Sequence, residues 1–326
     1  MKKRILITGA NGFVGYHLLE AAIKEGLEVY AGVRGGSDIS HLSNIDVHFS
    51  YLNYSDVDSL KSDFESKKYD FIIHAAGITK ATDYAIYERI NADYTWNIAR
   101  AARSIDLQKI IFISSLAALG PTVYGKDYVL MPDTDPKPIT GYGRSKLLAE
   151  QYLKSFSELS WIILRPTAVY GPREKDILML IKTINKGIEI YLGNNHQTLS
   201  FVHVQDLANV AIQVCFADKV RECYNISDGN RYDTQKLSEI IKKELKKKTI
   251  KITIPISILR LLAGIIERFG RGKTSILNND KLSELIAENW NCSIEKAKQE
   301  ISFNPQYNLD KGMKNTIEWY KINKWI

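Results

Sequence analysis

A chain of 326 residues, 45% apolar and 25% charged, has the length and makeup to bury one large core and a smaller one beside it. Its net charge of +7 comes from scattered Lys and Arg. The densest run, Lys242–Lys251, is interrupted by Glu244 and Leu245 and reads as a solvated helix end rather than a nucleic-acid patch. Cys215, Cys223 and Cys292 form neither a metal-type spacing nor a disulfide framework, which excludes a stapled secreted scaffold and predicts no metal. No stretch has the length of a bilayer span, and Met1-Lys2-Lys3-Arg4 is followed by too short an apolar run for an export signal, so the expected location is cytoplasmic.

The first half alternates strand and helix patterns. Ile5-Leu6-Ile7-Thr8 is a short apolar run ending at Gly9-Ala10-Asn11-Gly12-Phe13-Val14-Gly15. Leu18, Leu19, Ala22 and Ile23 then mark one face of a helix stopped by Gly26. Strand, glycine turn and helix is the context in which glycines let a backbone approach a pyrophosphate, and the helix start offers free N–H groups and a positive dipole end. The spacing is Gly-x-x-Gly-x-x-Gly. Glu28–Val33 is the second strand, followed by Arg34, with no acid at position 33 or 34 and Asp38 four residues on. A carboxylate there binds a ribose 2′-hydroxyl, whereas an Arg accommodates a 2′-phosphate, so the pattern predicts NADP in preference to NAD. Val47–Tyr51 is a third strand and Ser55–Phe64 a capped helix. Phe71–His74 is a fourth strand, running into Ala75-Ala76-Gly77, whose small size lets the chain pass close to a dinucleotide. His74, at the end of a buried strand, reads as a structural hydrogen-bonder.

A helix from about Tyr84 to Ser104 carries Asn91, and the fifth strand, Lys109–Ile113, ends at Ser114-Ser115. Ligands of doubly wound sheets bind at the carboxyl ends of the strands, so Gly9, Arg34, Ala75 and Ser115 are expected to converge on one edge. Pro132, Pro136 and Pro138 mark a loop over that edge. The next helix, Tyr142–Phe156, places Tyr142 and Lys146 one above the other. A phenol of pKa about 10 is a poor base at neutral pH, and a neighbouring ammonium favours its ionised form. The Ser115 hydroxyl is the candidate to hold a substrate oxygen while the phenol moves the proton. A sixth strand, Trp161–Arg165, is closed by Pro166.

After Pro172 the alternation breaks up. Asp176–Gly187 and Asp206–Phe216 are helix patterns, Tyr224-Asn225-Ile226 a short strand, and Leu237, Ile240, Ile241 and Leu245 another helix face. The most apolar stretch is 252–266, with Ile252, Ile254, Ile256, Ile258, Leu259, Leu261, Leu262, Ile265 and Ile266 around Pro255, a helix-starting position. Two readings are open: a lid over an apolar substrate or a membrane-surface contact, and, preferred, a helix packed in the small domain. Asn291–Glu300 and the Trp319-Tyr320 helix are expected to pack in the same small domain.

Taken together, Thr8–Gly15, His74-Ala75-Ala76-Gly77, Ser114-Ser115, Tyr142-x-x-x-Lys146, Arg165–Pro172 and Phe201–Asp206 resemble the extended short-chain dehydrogenase/reductase superfamily. The likeness is to its NAD-dependent epimerase/dehydratase family, on the dihydroflavonol reductase and 3β-hydroxysteroid dehydrogenase side. The resemblance implies an α/β fold, a doubly wound parallel sheet (Rossmann fold) over 1–170. Residues 171–326 would form a smaller C-terminal α/β substrate domain, with about 200–218 returning to the first. It implies Tyr142 as general acid/base, Ser115 rather than Ser114 as its partner, and Lys146 as holder of the nicotinamide ribose. The implied cofactor-binding residues are Gly9, Asn11, Gly12, Phe13, Val14, Gly15, Arg34, Leu52, Asn53, Ala75, Ala76, Gly77, Asn91, Tyr142, Lys146 and Pro166. A homodimer through the helices at 91–103 and 142–156 is a further implication.

Three departures refine the reading. Leu116-Ala117 stand where sugar 4,6-dehydratases of the superfamily carry Asp-Glu, which argues against elimination chemistry. Leu199-Ser200 stand where nucleotide-sugar epimerases carry Arg-Asp, removing a bidentate phosphate donor. Asn53 replaces an acid expected beside the adenine. The favoured expectation is an NAD(P)-dependent oxidoreductase acting at a hydroxyl or carbonyl carbon of a small molecule. A nucleotide-sugar epimerase retaining NAD is the alternative. A non-enzymatic dinucleotide sensor comes third, because both Tyr142 and Lys146 are present.

Overall fold

Apolar runs of four to six residues that are buried on both faces form parallel strands between helical layers, and here they build one seven-stranded sheet. The computed structural model describes residues 2–123, 128–193, 197–260 and 279–326. Its strands in chain order are β1 (Arg4–Thr8), β2 (Glu28–Val33), β3 (His48–Tyr51), β4 (Phe71–His74), β5 (Lys109–Ile113) and β6 (Trp161–Pro166). They are followed by β7 (Ala168–Tyr170), β8 (Ile188–Leu192), β9 (Phe201–His203), β10 (Glu222–Ile226) and β11 (Ile250–Ile254). The large sheet has the order β3-β2-β1-β4-β5-β6-β10, and every neighbouring pair in it is parallel. Order reverses between β1 and β4, the crevice where such sheets take ligands.

Alternation along the strands feeds two cores. Ile5, Ile7, Ala31, Ile73, Ile111 and Leu164 face α1 (Phe13–Lys24) and the helix Val204–Phe216. Leu6, Ile72, Ile110, Phe112 and Ile163 face the opposite way, against the helices Val57–Lys67, Tyr94–Ala102 and Gly141–Lys154. A third core unites Tyr170 of β7 and Phe201 of β9 with Ile181, Ile184, Ile240, Ile241, Met313 and Ile317 from the helices Asp176–Asn185, Thr234–Leu245 and Leu309–Ile322.

The segment that rejoins the large sheet runs past 218. Tyr224-Asn225-Ile226 belongs to β10, which adds to the sheet edge beside β6, with Tyr224 opposite Leu164. Residues 291–300, expected in the small domain, pack on the large one: Ile294, Ala297 and Ile301 enter the same core as Ile5 and Leu164. Tyr224 donates to Glu300 at 2.9 Å, which ties that segment to β10. The 252–266 stretch is also different from expectation over its first residues. Ile252 and Ile254 lie in β11, because Ile250-Lys251-Ile252-Thr253-Ile254 alternates with period two and pairs with β8. Pro255 does precede a helical turn, its carbonyl accepting from the N–H of Ile258 and Leu259; Leu261, Leu262, Ile265 and Ile266 lie outside the described residues. Among the described residues no helix is long and apolar enough to cross a membrane.

Candidate active site

The turn after β1 is built by close backbone approach. Gly9 has φ +68°, and a Cβ there would lie 2.8 Å from the Ala76 backbone; a Cβ on Gly15 would lie 2.0 Å from the Gly9 carbonyl oxygen. Only glycine fits either position, and the result is an open cradle at the start of α1. That helix start has no side-chain cap and no acid in its first turn, so its N–H groups and dipole are available to an anion. Donor set and shape both suit a pyrophosphate. Asn11, Gly12, Phe13 and Val14 complete the turn, with the Asn11 amide reaching the Asp38 carbonyl at 3.5 Å. Arg34 follows β2, exposed and without an ion-pair partner among the described residues. Its charge acts on the buried phenol of Tyr54, which puts it on the same rim. Leu52 is buried, and the Asn53 carboxamide accepts from the Ser55 backbone and hydroxyl at 3.2 and 2.7 Å.

Behind the cradle stands His74, its ring nitrogens 2.7 Å from Thr8 Oγ1 and 3.0 Å from Thr95 Oγ1. Burial, with repulsion from Lys146 second, lowers its pKa to about 3, so it is a neutral strut. Ala75-Ala76-Gly77 passes in front, Ala76 donating to Thr8 Oγ1 at 3.2 Å. Asn91 sits in a π-helical turn, Glu88–Asp93. Its amide donates to the Ile78 carbonyl at 3.0 Å and to Ser145 Oγ at 2.9 Å, while its oxygen accepts from Ile78 N–H at 2.8 Å. The side chain is thus spent on clamping the 77–78 loop to the helix of Tyr142. Pro166 is buried at the end of β6, opposite Ile226.

Ser115, Tyr142 and Lys146 come together. The helix Gly141–Lys154 is capped by Thr140, whose hydroxyl accepts from Gly143 N–H at 3.0 Å. A Cβ on Gly143 would sit 2.4 Å from the Ala117 carbonyl oxygen; that missing methyl brings the helix against the 115–120 turn. Ser115 begins this turn, accepting from Ala117 N–H at 3.1 Å, and its side chain lies near enough to the Tyr142 phenol to pull that group's pKa down. Ser114 is different: buried, it donates to Glu150 at 2.6 Å. Lys146 donates to the Ile113 carbonyl at 2.8 Å and lies 4.5 Å from the centre of the Phe112 ring. Burial lowers its pKa to about 8.

One electrostatic expectation is corrected here. The phenol of Tyr142 is not acidified in the free chain: desolvation drives its pKa upward, nearby Ser115 pulls it down less, and Glu284 and Tyr87 add to the rise. The Lys146 ammonium is turned to the end of β5 instead of supplying the compensating charge.

Sequence reasoning missed the group beneath the site. Arg165 grips Glu150 through Nε–Oε1 at 2.9 Å and Nη2–Oε2 at 2.6 Å, both side chains fully buried, and donates to the Pro132 carbonyl at 2.7 Å. One guanidinium thereby fastens β6, the Tyr142 helix and the proline-marked loop. The signal was present, since Tyr142, Lys146 and Glu150 recur every fourth residue on one helix face. Also missed was Asn289, whose amide donates to the Tyr128 carbonyl at 3.0 Å while its backbone carbonyl accepts from Thr122 at 2.9 Å.

The sequence profile of the NAD dependent epimerase/dehydratase family matches residues 5–227. A UDP-glucose 4-epimerase of Vibrio cholerae is 27% identical, over 98% of this chain and 95% of its own. A ceramide reductase of Caulobacter vibrioides is 24% identical over 99% and 96%. The crystal structure of a Thermotoga maritima UDP-glucose 4-epimerase with UDP-glucose superposes with a TM-score of 0.82 at 20% identity, covering 98% of this chain and 99% of that one. With the glycine cradle, the parallel sheet order and a match over more than half of its length, the chain belongs to the NAD dependent epimerase/dehydratase family.

Proposed function

We propose that this protein is an NAD(P)-dependent oxidoreductase that interconverts a hydroxyl and a carbonyl group on a small molecule, with Tyr142 as general acid/base. The observation that carries this reading is the meeting of the Ser115 and Tyr142 side chains, one helical turn from Lys146, where the glycine cradle opens. The nicotinamide cofactor, when bound, supplies the hydride donor or acceptor. Gly9, Gly12 and Gly15 with the α1 N–H groups would hold its pyrophosphate, Lys146 its nicotinamide ribose, and Leu52 and Asn53 the adenine side. Ser115 orients the substrate oxygen. Tyr142, held protonated by burial, gives its proton to that oxygen as a carbonyl becomes an alcohol, and recovers it in the reverse direction. Asn91 acts as a positioning residue that fixes the 77–78 loop against this helix. We assign the substrate to a pocket finished by residues 171–326, apart from the parts that rejoin the large sheet.

Arg34, without an ion-pair partner among the described residues, supports NADP over NAD. A homodimer through the helices at 91–103 and 142–156 is part of this proposal. Three unpaired cysteines support a cytoplasmic location.

A second reading, a nucleotide-sugar epimerase that keeps its NAD, is favoured by full-length likeness to UDP-glucose 4-epimerases. Against it stands Leu199, which brings no cation to a diphosphate and whose backbone N–H and carbonyl are both paired with Tyr232, at 2.7 and 2.9 Å. The deciding experiment denatures the purified protein, quantifies released dinucleotide, and compares thermal midpoints with NAD, NADH, NADP and NADPH. A cofactor-free protein whose midpoint rises most with NADPH supports the oxidoreductase. Stoichiometric retained NAD refutes it in favour of the epimerase.

A further inference from the structure

We infer that the small two-stranded sheet β8–β11 is an attachment surface for an anionic lipid bilayer. This sheet is inverted. Its inward face carries Glu189, fully buried, whose carboxylate is satisfied by Lys242 at 2.9 Å, Thr249 at 2.7 Å and the Tyr191 hydroxyl. Its outward face carries isoleucines in register, Ile188 beside Ile250 and Ile190 beside Ile252. They are 37%, 74%, 38% and 44% exposed. The next rung, Leu192 beside Ile254, is covered by Leu259 and Leu282, so the apolar surface is closed at one end and open at the other.

The open end is where the cations lie. Lys186 precedes β8, and Lys246, Lys247 and Lys248 precede β11; because the strands are parallel, both groups gather at the same rim. These four lysines and Lys243 are exposed, with no ion-pair partner among the described residues. Between Lys242 and Arg260 the one carboxylate is Glu244, which is half-buried, and Glu189 is spent inside. A ladder of branched apolar side chains bordered by unneutralised lysines matches the boundary between lipid head groups and acyl chains: isoleucines enter the apolar layer and ammonium groups meet anionic phosphates. A second copy of the chain is disfavoured as occupant, since it would bring together two lysine rims that outnumber the nearby acids, Glu239 and Glu244.

The test needs no substrate and is independent of the catalytic reading. The full chain is sedimented with vesicles of phosphatidylcholine alone or with one quarter phosphatidylglycerol, at low and high salt. Expected is binding to the phosphatidylglycerol vesicles that salt weakens. The triple variant Lys246→Ala/Lys247→Ala/Lys248→Ala should lose about a hundredfold in partitioning at low salt. Ile250→Glu/Ile252→Glu should abolish binding, with light scattering run in parallel to record mass. The inference is overturned if the parent chain ignores phosphatidylglycerol, or if both variants bind as it does. It is equally overturned if the isoleucine variant dissociates an oligomer while vesicle binding is nil. The two variants share no position, so misfolding of one, seen as a lost melting transition, leaves the other to decide.

Discussion

Lys146 donates a 2.8 Å hydrogen bond to the carbonyl of Ile113, the last residue of β5. The sheet itself therefore aims the amine, and the desolvation this entails brings its pKa to about 8. Below that value the ammonium persists; above it the charge is lost. The proposed mechanism then has kcat/KM falling as pH rises through about 8. Lys146→Arg, which stays charged, should flatten the alkaline limb in a pH–rate profile even where its longer side chain lowers the plateau.

Removing the Tyr142 hydroxyl separates chemistry from binding. Tyr142→Phe keeps the ring against Tyr87, 6.3 Å away, and should lower kcat by about a hundredfold to ten-thousandfold. Cofactor affinity, followed by fluorescence titration, should stay within about threefold, because the cradle is untouched. Parent-like turnover in this variant would remove Tyr142 from the mechanism.

The cradle has its own test. Gly15→Ala forces a methyl into the Gly9 carbonyl and should destabilise the chain by about 1–3 kcal/mol. Dinucleotide affinity should drop at least tenfold, the expected cost of shifting a backbone that holds a pyrophosphate. Arg34→Ala should be selective instead, weakening NADPH by about tenfold to a hundredfold while sparing NADH.

Glu150 and Arg165 are a buried charge pair, and each alone is costly. Glu150→Leu or Arg165→Met should destabilise by about 3–5 kcal/mol in denaturant titration, through the uncompensated partner. The double variant should be more stable than either single one, which a double-mutant cycle reads directly.

Acid stability follows from two buried histidines. His74 and His203 both have pKa values lowered to about 3, chiefly by burial. Between the unfolded value of about 6.5 and the folded value, the unfolded chain binds more protons, so stability falls as pH falls. Each ring contributes a slope of up to about 1.4 kcal/mol per pH unit in that window. His74→Gln, measured by urea unfolding between pH 4 and 7 on the same scale, should remove about half of the histidine-dependent slope.

The large domain was legible because its signals are local and agree. A four-residue apolar run such as Ile5–Thr8, a glycine turn and an amphipathic helix each point to the same parallel sheet. The preference for Ser115 over Ser114, drawn from the resemblance, gains a physical reason in three dimensions, where Glu150 claims Ser114. β8 and β11 were missed for a physical reason. Their isoleucines alternate correctly for strands, but five residues beside a longer apolar run resemble a helix, and an inward Glu189 contradicts the rule that apolar residues face in. Asn289 carried no signal, since one amide bridging two backbone segments leaves no pattern in its neighbours.

This seam sets an order of assembly. Thr122, Leu130 and Thr198 all hydrogen-bond to backbone of residues 288–291, so the loops at 122–130 and 198 are sewn together by residues made well over a hundred positions after the Tyr142 helix. A nascent chain halted after the Tyr142 helix holds the dinucleotide cradle and the reactive phenol, yet lacks the seam that shapes what the phenol reacts with. Affinity for cofactor should thus be acquired during synthesis well before selectivity for substrate.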